Sequence, residues 1–436
     1  MVRVSTPHPS TPSHTRHLVN LSYSTEYEQF RREVRAFLEA QWTAEDKASV
    51  PPPDPGSVAA ALGGNNRVDE RATAFRLKAI DRGYLYRHIP KRYGGSEQQP
   101  DALRATIIAE EFRRHDAPFE IMNQGAAMLA PTLIEKGTET QRQRFVRDTL
   151  LGKIVWCQGY SEPGAGSDLA SLASRAELVG DEWVIHGHKI WTSGADKADY
   201  MFGLFRTEPD AAKHAGISYL LLDMRQPGIQ VRPLREMTGG ALFNEVFFDG
   251  ARTPVDWIVG ARGQGWQVSR ATLKHERNMI GNPNAMRRLF DELVVMLRGA
   301  TRDGRPALEQ TAVRQRLAEI EGYLLSHEYT GRRMLTSTAR GDVDDLALPS
   351  LLMKLYGTNL RRRIADMAYD WIGSAALLEP TEPEQQPLAT GTPGTWTARM
   401  MSAIAVAIAG GASNIQRNII GERGLGLPRD LHARRG

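Results

Sequence analysis

The chain has 436 residues, 41% of them hydrophobic and 24% charged, a length and balance that call for two or three packed domains rather than one core or a disordered polymer. Its 55 basic and 51 acidic side chains leave a formal charge of only +4, too small a surplus to argue for nucleic acid, although a positive bias suits anionic ligands such as pyrophosphates. The single cysteine, Cys157, excludes an internal disulfide and reads as a lone buried thiol in a reducing compartment, and no stretch approaches the roughly 18 apolar residues of a membrane span.

Residues 1–25 hold Arg3 and Arg16 but no acidic side chain. They weakly resemble an organelle transit segment; Pro7, Pro9 and Pro12 break any amphipathic helix there, so the reading is a disordered tail and a cytoplasmic protein rather than one of an organelle matrix. From Glu26 to about Trp42 the spacing of Tyr27, Phe30, Val34, Phe37 and Leu38 predicts an amphipathic helix. After a Pro-rich loop at Pro51–Pro55, helical patterns resume through Phe75, Leu77 and Ile80 and again from Ile107 to Phe112, giving a helical domain over 26–155.

A β domain follows over 156–265. Short apolar runs there end at turn residues, as in Trp183-Val184-Ile185 before Gly187 and Tyr219-Leu220-Leu221-Leu222 before Pro227-Gly228, and Gly228–Arg232 alternates as a half-buried strand does. Helical periodicity returns over 266–430, interrupted by an irregular segment from Pro380 to Pro393. Blocks in the order α, β, α imply separate domains in an α+β, mostly α chain rather than one alternating sheet.

The most informative stretch is Trp156-Cys157-Gln158-Gly159-Tyr160-Ser161-Glu162-Pro163-Gly164-Ala165-Gly166-Ser167-Asp168. Its glycines, proline and serines make a tight loop whose backbone N–H groups can approach a flat or anionic ligand, though composition alone suits a plain surface turn equally. Neither a Walker A ending nor a strand with a GxGxxG helix start is present, and Pro163 replaces the last glycine of a hydrolase nucleophile elbow. His327-Glu328 lacks the second histidine of a zinc helix, so no metal is expected.

This loop, followed by Asp181-Glu182-Trp183, Gly187-His188-Lys189-Ile190-Trp191-Thr192-Ser193-Gly194 and Ala198-Asp199, resembles the flavin-binding region of the acyl-CoA dehydrogenase family. Pro90–Gly95, Gly137-Thr138-Glu139-Thr140-Gln141, Phe243–Asp249 and Ile415-Gln416-Arg417-Asn418-Ile419-Ile420 extend the likeness over about 26–430. It implies an N-terminal helical domain, a middle β-barrel-like domain and a C-terminal four-helix bundle, with FAD between the last two. By the same resemblance Gln158, Tyr160 and Ser161 line the flavin ring, Trp191 packs on its face beside Thr192, Ser193 bonds its N5, and Ser167 and Arg277 contact CoA.

Removing a proton from the α-carbon of an acyl thioester needs a carboxylate in an apolar pocket, where desolvation strengthens the base. Much of the family carries that glutamate where this chain has Gly410; a minority carries it on the first bundle helix, and Glu276 in Leu273-Lys274-His275-Glu276-Arg277 stands at the matching place. Thr272 and Leu273 lie one turn before it and Met279 and Ile280 one turn after, so helical spacing puts the carboxylate on an apolar stripe, with a structural ion pair as the alternative. Gly410 would keep a catalytic backbone N–H for the thioester carbonyl.

The resemblance further implies an acyl-CoA substrate, an electron-transfer flavoprotein as oxidant and a homo-oligomer, dimer or tetramer. Two departures bear on this: the segment that meets a neighbour's FAD is reduced to Asp370-Trp371-Ile372-Gly373-Ser374, and the arginine that reaches the FAD pyrophosphate has no clean counterpart, Arg302 and Arg305 being the candidates. They keep two rivals open, a nitroalkane-oxidase-like or monooxygenase member of the fold and a non-catalytic subunit of a heteromeric dehydrogenase.

Overall fold

A computed structural model describes residues 23–50, 56, 69–340, 347–377 and 392–428, apart from the side chains of 277–279, 338–340 and 347. Nearly all of the expected tail, the Pro51–Pro55 loop, most of the Pro380–Pro393 segment and the Arg277 side chain therefore lie outside the described residues.

The N-terminal region is helical, with α1 (Thr25–Gln41), α2 (Ala44–Ser49), α3 (Glu70–Asp81), α4 (Ala102–Arg114), α5 (Ala130–Lys136) and α6 (Glu139–Leu150). Ser24 caps α1, whose stripe buries Val34 and Leu38 with Phe30 and Phe37 packed beside them. Its other side is tied to α4 by Arg31 and Arg35, which both bond the fully buried Glu111. The Gly137–Gln141 motif has a twofold purpose. Thr138 and Gln141 form the capping box of α6, and the Gln141 amide also donates to the carbonyls of Asp256 and Ile258, each at 2.8 Å, fastening the helical region to the end of the sheet.

The middle region is one curled sheet of β1 (Trp156–Gly159), β2 (Arg175–Val179), β3 (Glu182–Ser193), β4 (Tyr200–Arg206), β5 (Ile217–Asp223), β6 (Ile229–Pro233) and β7 (Phe243–Pro254). The strands run in the order β1-β4-β2-β3-β7-β6, with β5 also on β4. The long pair β3/β7 is antiparallel and slips register between Lys189 and Thr192. Cys157 is fully buried on β1, and burial pushes its thiol far above the ordinary range.

The C-terminal bundle contains α7 (Gly265–Ile280), α8 (Pro283–Arg298), α9 (Thr311–Arg340), α10 (Ala347–Ile372), α11 (Pro393–Ile408) and the short α12 (Ser413–Ile419). Leu289, Leu293, Leu324, Leu360, Ile364 and Trp396 fill its core. The 32-residue run Pro393–Gly424 is long and apolar enough to cross a membrane, which the sequence reading did not anticipate. Its place here is a bundle helix: Trp396 and Arg399 are buried, Arg399 pairs with Glu292 of α8, and the helix breaks at Gly410 and Gly411.

His327 of α9 is buried against Tyr356 of α10, the rings stacked with centroids 5.4 Å apart. Burial pushes its pKa down from 6.5 to about 4, against an opposing hydrogen bond to the Gly281 backbone. A histidine depressed in this way binds its proton more tightly when unfolded, so its full contribution to stability is present above about pH 6.5 and is lost as pH falls toward about 4. The loss is on the order of 3 kcal/mol. Thermal melts near pH 7 and about pH 5 should therefore differ less for His327→Gln than for the natural chain.

Candidate active site

The register slip on β3 shapes the first wall of the site. It interrupts the in-and-out alternation of the strand, so Lys189, Thr192 and Ser193 are all buried while Trp191 between them points outward, 59% exposed. Trp191 holds a left-handed backbone, φ +59°, which is costly for a bulky residue and is kept where the surroundings enforce it. Phe243 meets the indole edge-on at 6.0 Å. The Thr192 hydroxyl is buried with no hydrogen-bond partner, although its carbonyl accepts from the Asn244 amide at 3.1 Å.

The loop after β1 lies against this strand. Ile190 N–H donates to the Ser161 carbonyl at 2.9 Å. A buried ion pair holds the two segments together: the Lys189 ammonium donates to Glu162 Oε1 at 2.8 Å and to the Tyr160 carbonyl at 3.1 Å, while Glu162 accepts from the N–H groups of Ala173 and Ser174. Burial pushes Lys189 down to about 8, with Glu162 opposing. Burial also works against the Glu162 carboxylate, but Lys189 and the N–H donors outweigh it and hold its pKa below the usual range. The loop's glycines divide by role. A Cβ on Gly159 would meet Met201 Sδ at 2.3 Å, so that glycine serves sheet packing, whereas Gly164 and Gly166 face open space where a ligand can approach.

The second wall is α7. Gly265 lets the helix start against the backbone of Ser218 and Tyr219. Val268, Thr272, Glu276 and Ile280 then succeed one another at every fourth position on one buried stripe, while Arg270 and Lys274 are exposed. Glu276 is 8% exposed. Its carboxylate lies beside the turn between α11 and α12: a Cβ built on Gly410, which holds φ +61°, would lie 3.3 Å from Glu276 Oε1 and 2.4 Å from Ile280 Cδ1. The two segments between which the sequence reading divided the catalytic roles therefore meet in space.

Tyr160 connects the walls. Its buried hydroxyl reaches toward Thr272 and Tyr219 without completing a hydrogen bond, and burial, with Tyr219 and Glu276 nearby, keeps the phenol neutral. Gln158 and Ser161 are half-buried at the same loop, and Ser167 is exposed farther along it. Arg302, one of the two arginines considered for the pyrophosphate, is engaged elsewhere: it donates to the carbonyls of Asp370 and Trp371 at the end of α10 and stacks on Trp371 at 4.3 Å. The reduced segment Asp370–Ser374 is thus capped from within the chain.

Comparison with known proteins agrees with this architecture. The acyl-CoA dehydrogenase N-terminal, middle and C-terminal domain families match residues 24–153, 157–251 and 263–425. The chain therefore belongs to the acyl-CoA dehydrogenase family, enzymes that use FAD. It is 38% identical to the acyl-CoA dehydrogenase IpdE1 of Mycobacterium tuberculosis over 92% of this chain and 98% of that one. The IpdE1 of Mycolicibacterium smegmatis is 36% identical over 93% and 99%. Among solved structures, the Tcur3481-Tcur3483 steroid ACAD superposes with a TM-score of 0.71 at 28% identity, over 94% of this chain and 100% of that one. The ChsE4-ChsE5 complex of Mycobacterium tuberculosis gives 0.70 at 26% identity over the same shares. The outward indole of Trp191 and the unpartnered Thr192 hydroxyl are what a flat, hydrogen-bonding ring requires, so the residues present fit FAD.

Two charged residues at the site escaped the sequence reading, Lys189 and Lys354. Each sits in an apolar setting, Lys189 beside Ile190 and Trp191 and Lys354 inside Leu351-Leu352-Met353-Lys354-Leu355, and that context was the available signal.

Proposed function

We propose that the chain dehydrogenates the α and β carbons of an acyl-CoA, with Glu276 taking the α-proton. The observation that carries this reading is the burial of Glu276 against Gly410, where the two base positions used by the family converge. FAD, when bound, supplies the hydride acceptor. Trp191 offers its face to the ring, Thr192 and Ser193 offer hydroxyls, and Gln158, Tyr160 and Ser161 line it from the adjoining loop. The Gly410 N–H donates to the thioester carbonyl and favours the charge that builds there as the proton leaves. Ser167 and Arg277 attend the CoA, and an electron-transfer flavoprotein reoxidises the enzyme.

One structural relative is described as a steroid ACAD, and that likeness supports a bulky, ring-bearing or branched acyl group. Anaerobic mixing with a panel of acyl-CoAs, followed by flavin absorbance, tests this: ring-bearing thioesters should bleach the flavin fastest, and a preference for straight medium chains would contradict it.

A heteromeric assembly is the second reading, favoured by the ChsE4-ChsE5 complex and the Tcur3481-Tcur3483 steroid ACAD among the structural relatives and by the internally capped Asp370–Ser374 segment. Co-expression with a related chain should then raise FAD content, and full FAD occupancy in a homo-oligomer would exclude it.

Trp191 yields a separate expectation. Trp191→Gly should relieve about 1 kcal/mol of backbone strain in the apoprotein. The same change should weaken FAD roughly tenfold through the lost ring stack. A higher apoprotein Tm together with a higher Kd for FAD is the expected pair of results.

A further inference from the structure

Lys354 of α10 is 0% exposed. Its ammonium donates to the Gly411 carbonyl at 2.8 Å, in the turn that carries Gly410, and to the Ala407 carbonyl at 3.4 Å, in the last turn of α11. Ser413 Oγ also donates to the Ala407 carbonyl at 3.2 Å, and the Gln416 amide reaches the Gly410 and Gly411 carbonyls at 3.4 and 3.5 Å. The same turn brings Lys354 near Glu276: Gly410, next to the carbonyl that Lys354 bonds, lies against the Glu276 carboxylate, a Cβ built on it falling 3.3 Å from Oε1. Burial pushes the lysine down to about 8, and the charge on Glu276 opposes that fall. Tyr160, from the loop after β1, is near enough for the Glu276 charge to add to burial in keeping its phenol neutral.

We propose that Lys354 is a positioning residue of the dehydrogenation site, clamping the 407–411 turn so that the Gly410 N–H stays aimed at the thioester and holding Glu276 ionised before the substrate arrives. This rests on the reading of Glu276 as the base. A carboxylate in a dry pocket tends to take a proton from water and lose its power as a base; a neighbouring ammonium prevents that. When the α-proton moves to Glu276 the acid becomes neutral and negative charge grows on the thioester oxygen. The same ammonium, anchored to the turn beside that oxygen, then complements the new charge. A lysine doing this must be buried, since solvent would screen it.

Two substitutions separate the clamp from the charge, both made in the FAD-loaded protein. Lys354→Met removes both, and Lys354→Gln keeps a donor for the Gly411 carbonyl. The first readout is amide hydrogen exchange over residues 405–413, which needs neither turnover nor substrate. Exchange there should be at least about tenfold faster in Lys354→Met and close to natural in Lys354→Gln. The second is the pH dependence of flavin reduction by the best acyl-CoA of the panel, whose acidic limb should move up by about one unit or more in both variants. Unchanged exchange in Lys354→Met overturns the clamp, and an unmoved limb in both variants overturns the electrostatic role. Should Lys354→Met fail to fold, the limb is read from Lys354→Gln. A natural enzyme that no acyl-CoA reduces sinks the reading of Glu276 instead, and hydrogen exchange still decides the clamp.

Discussion

Glu276→Gln is expected to slow flavin reduction by acyl-CoA about 10²–10⁴-fold, the usual worth of a positioned general base. Glutamine matches the shape of the side chain and keeps a polar group beside Gly410, so packing of the α7 stripe and the bound FAD should be preserved. Rapid-mixing spectroscopy reads the result directly: a natural flavin spectrum, natural affinity for acyl-CoA and a collapsed bleaching rate. A fall in both FAD content and rate would show a structural ion pair instead, the alternative weighed for this residue. The converse substitution is informative too. Gly410→Glu places a Cβ 2.4 Å from Ile280 Cδ1 and 3.3 Å from Glu276 Oε1 on a left-handed backbone, so the backbone is strained, the Ile280 side chain must turn aside and a second carboxylate crowds the first; the variant should lose activity rather than gain a second base.

The largest stability effect should come from the Lys189–Glu162 pair. Lys189→Met leaves the Glu162 carboxylate buried without its cation, and breaking a buried pair of this kind costs about 3–5 kcal/mol. The double variant Lys189→Met, Glu162→Gln removes both charges and should recover a substantial part of that cost. Because the pair fastens the Tyr160–Glu162 loop to β3, the single variant should also bind FAD more weakly even where it remains folded. Thermal melts and FAD titrations on the two variants check both statements. Equal destabilisation by the single and the double change would mean that the pair acts only through packing.

Much of the frame was legible because it follows from periodicity. The stripe of Tyr27, Phe30, Val34 and Leu38 wrote α1, and the shift from helical spacing to short apolar runs wrote the order of helices, sheet and bundle. The placement of Glu276 beside apolar neighbours was also readable, since a helix fixes which residues share a face. What escaped depends on contacts between distant segments. A lysine in a strand or helix reads as a solvated charge until its partner is known, and Glu162 lies 27 residues from Lys189 while Gly411 lies 57 residues from Lys354. The bulge that turns Trp191 outward is set by the pairing of β3 with β7, which no local pattern encodes. The helical run Pro393–Gly424 was underestimated because Arg399 and Ser402 break an apolar count of the sequence, yet both are buried in the bundle.

The most direct test is exchange of the α-hydrogens of a bound acyl-CoA with D2O, followed by mass spectrometry under anaerobic conditions on the FAD-loaded protein. If Glu276 is the group that removes the α-proton, the natural enzyme incorporates deuterium at that carbon and Glu276→Gln does not. Incorporation by Glu276→Gln at the natural rate would place the base elsewhere.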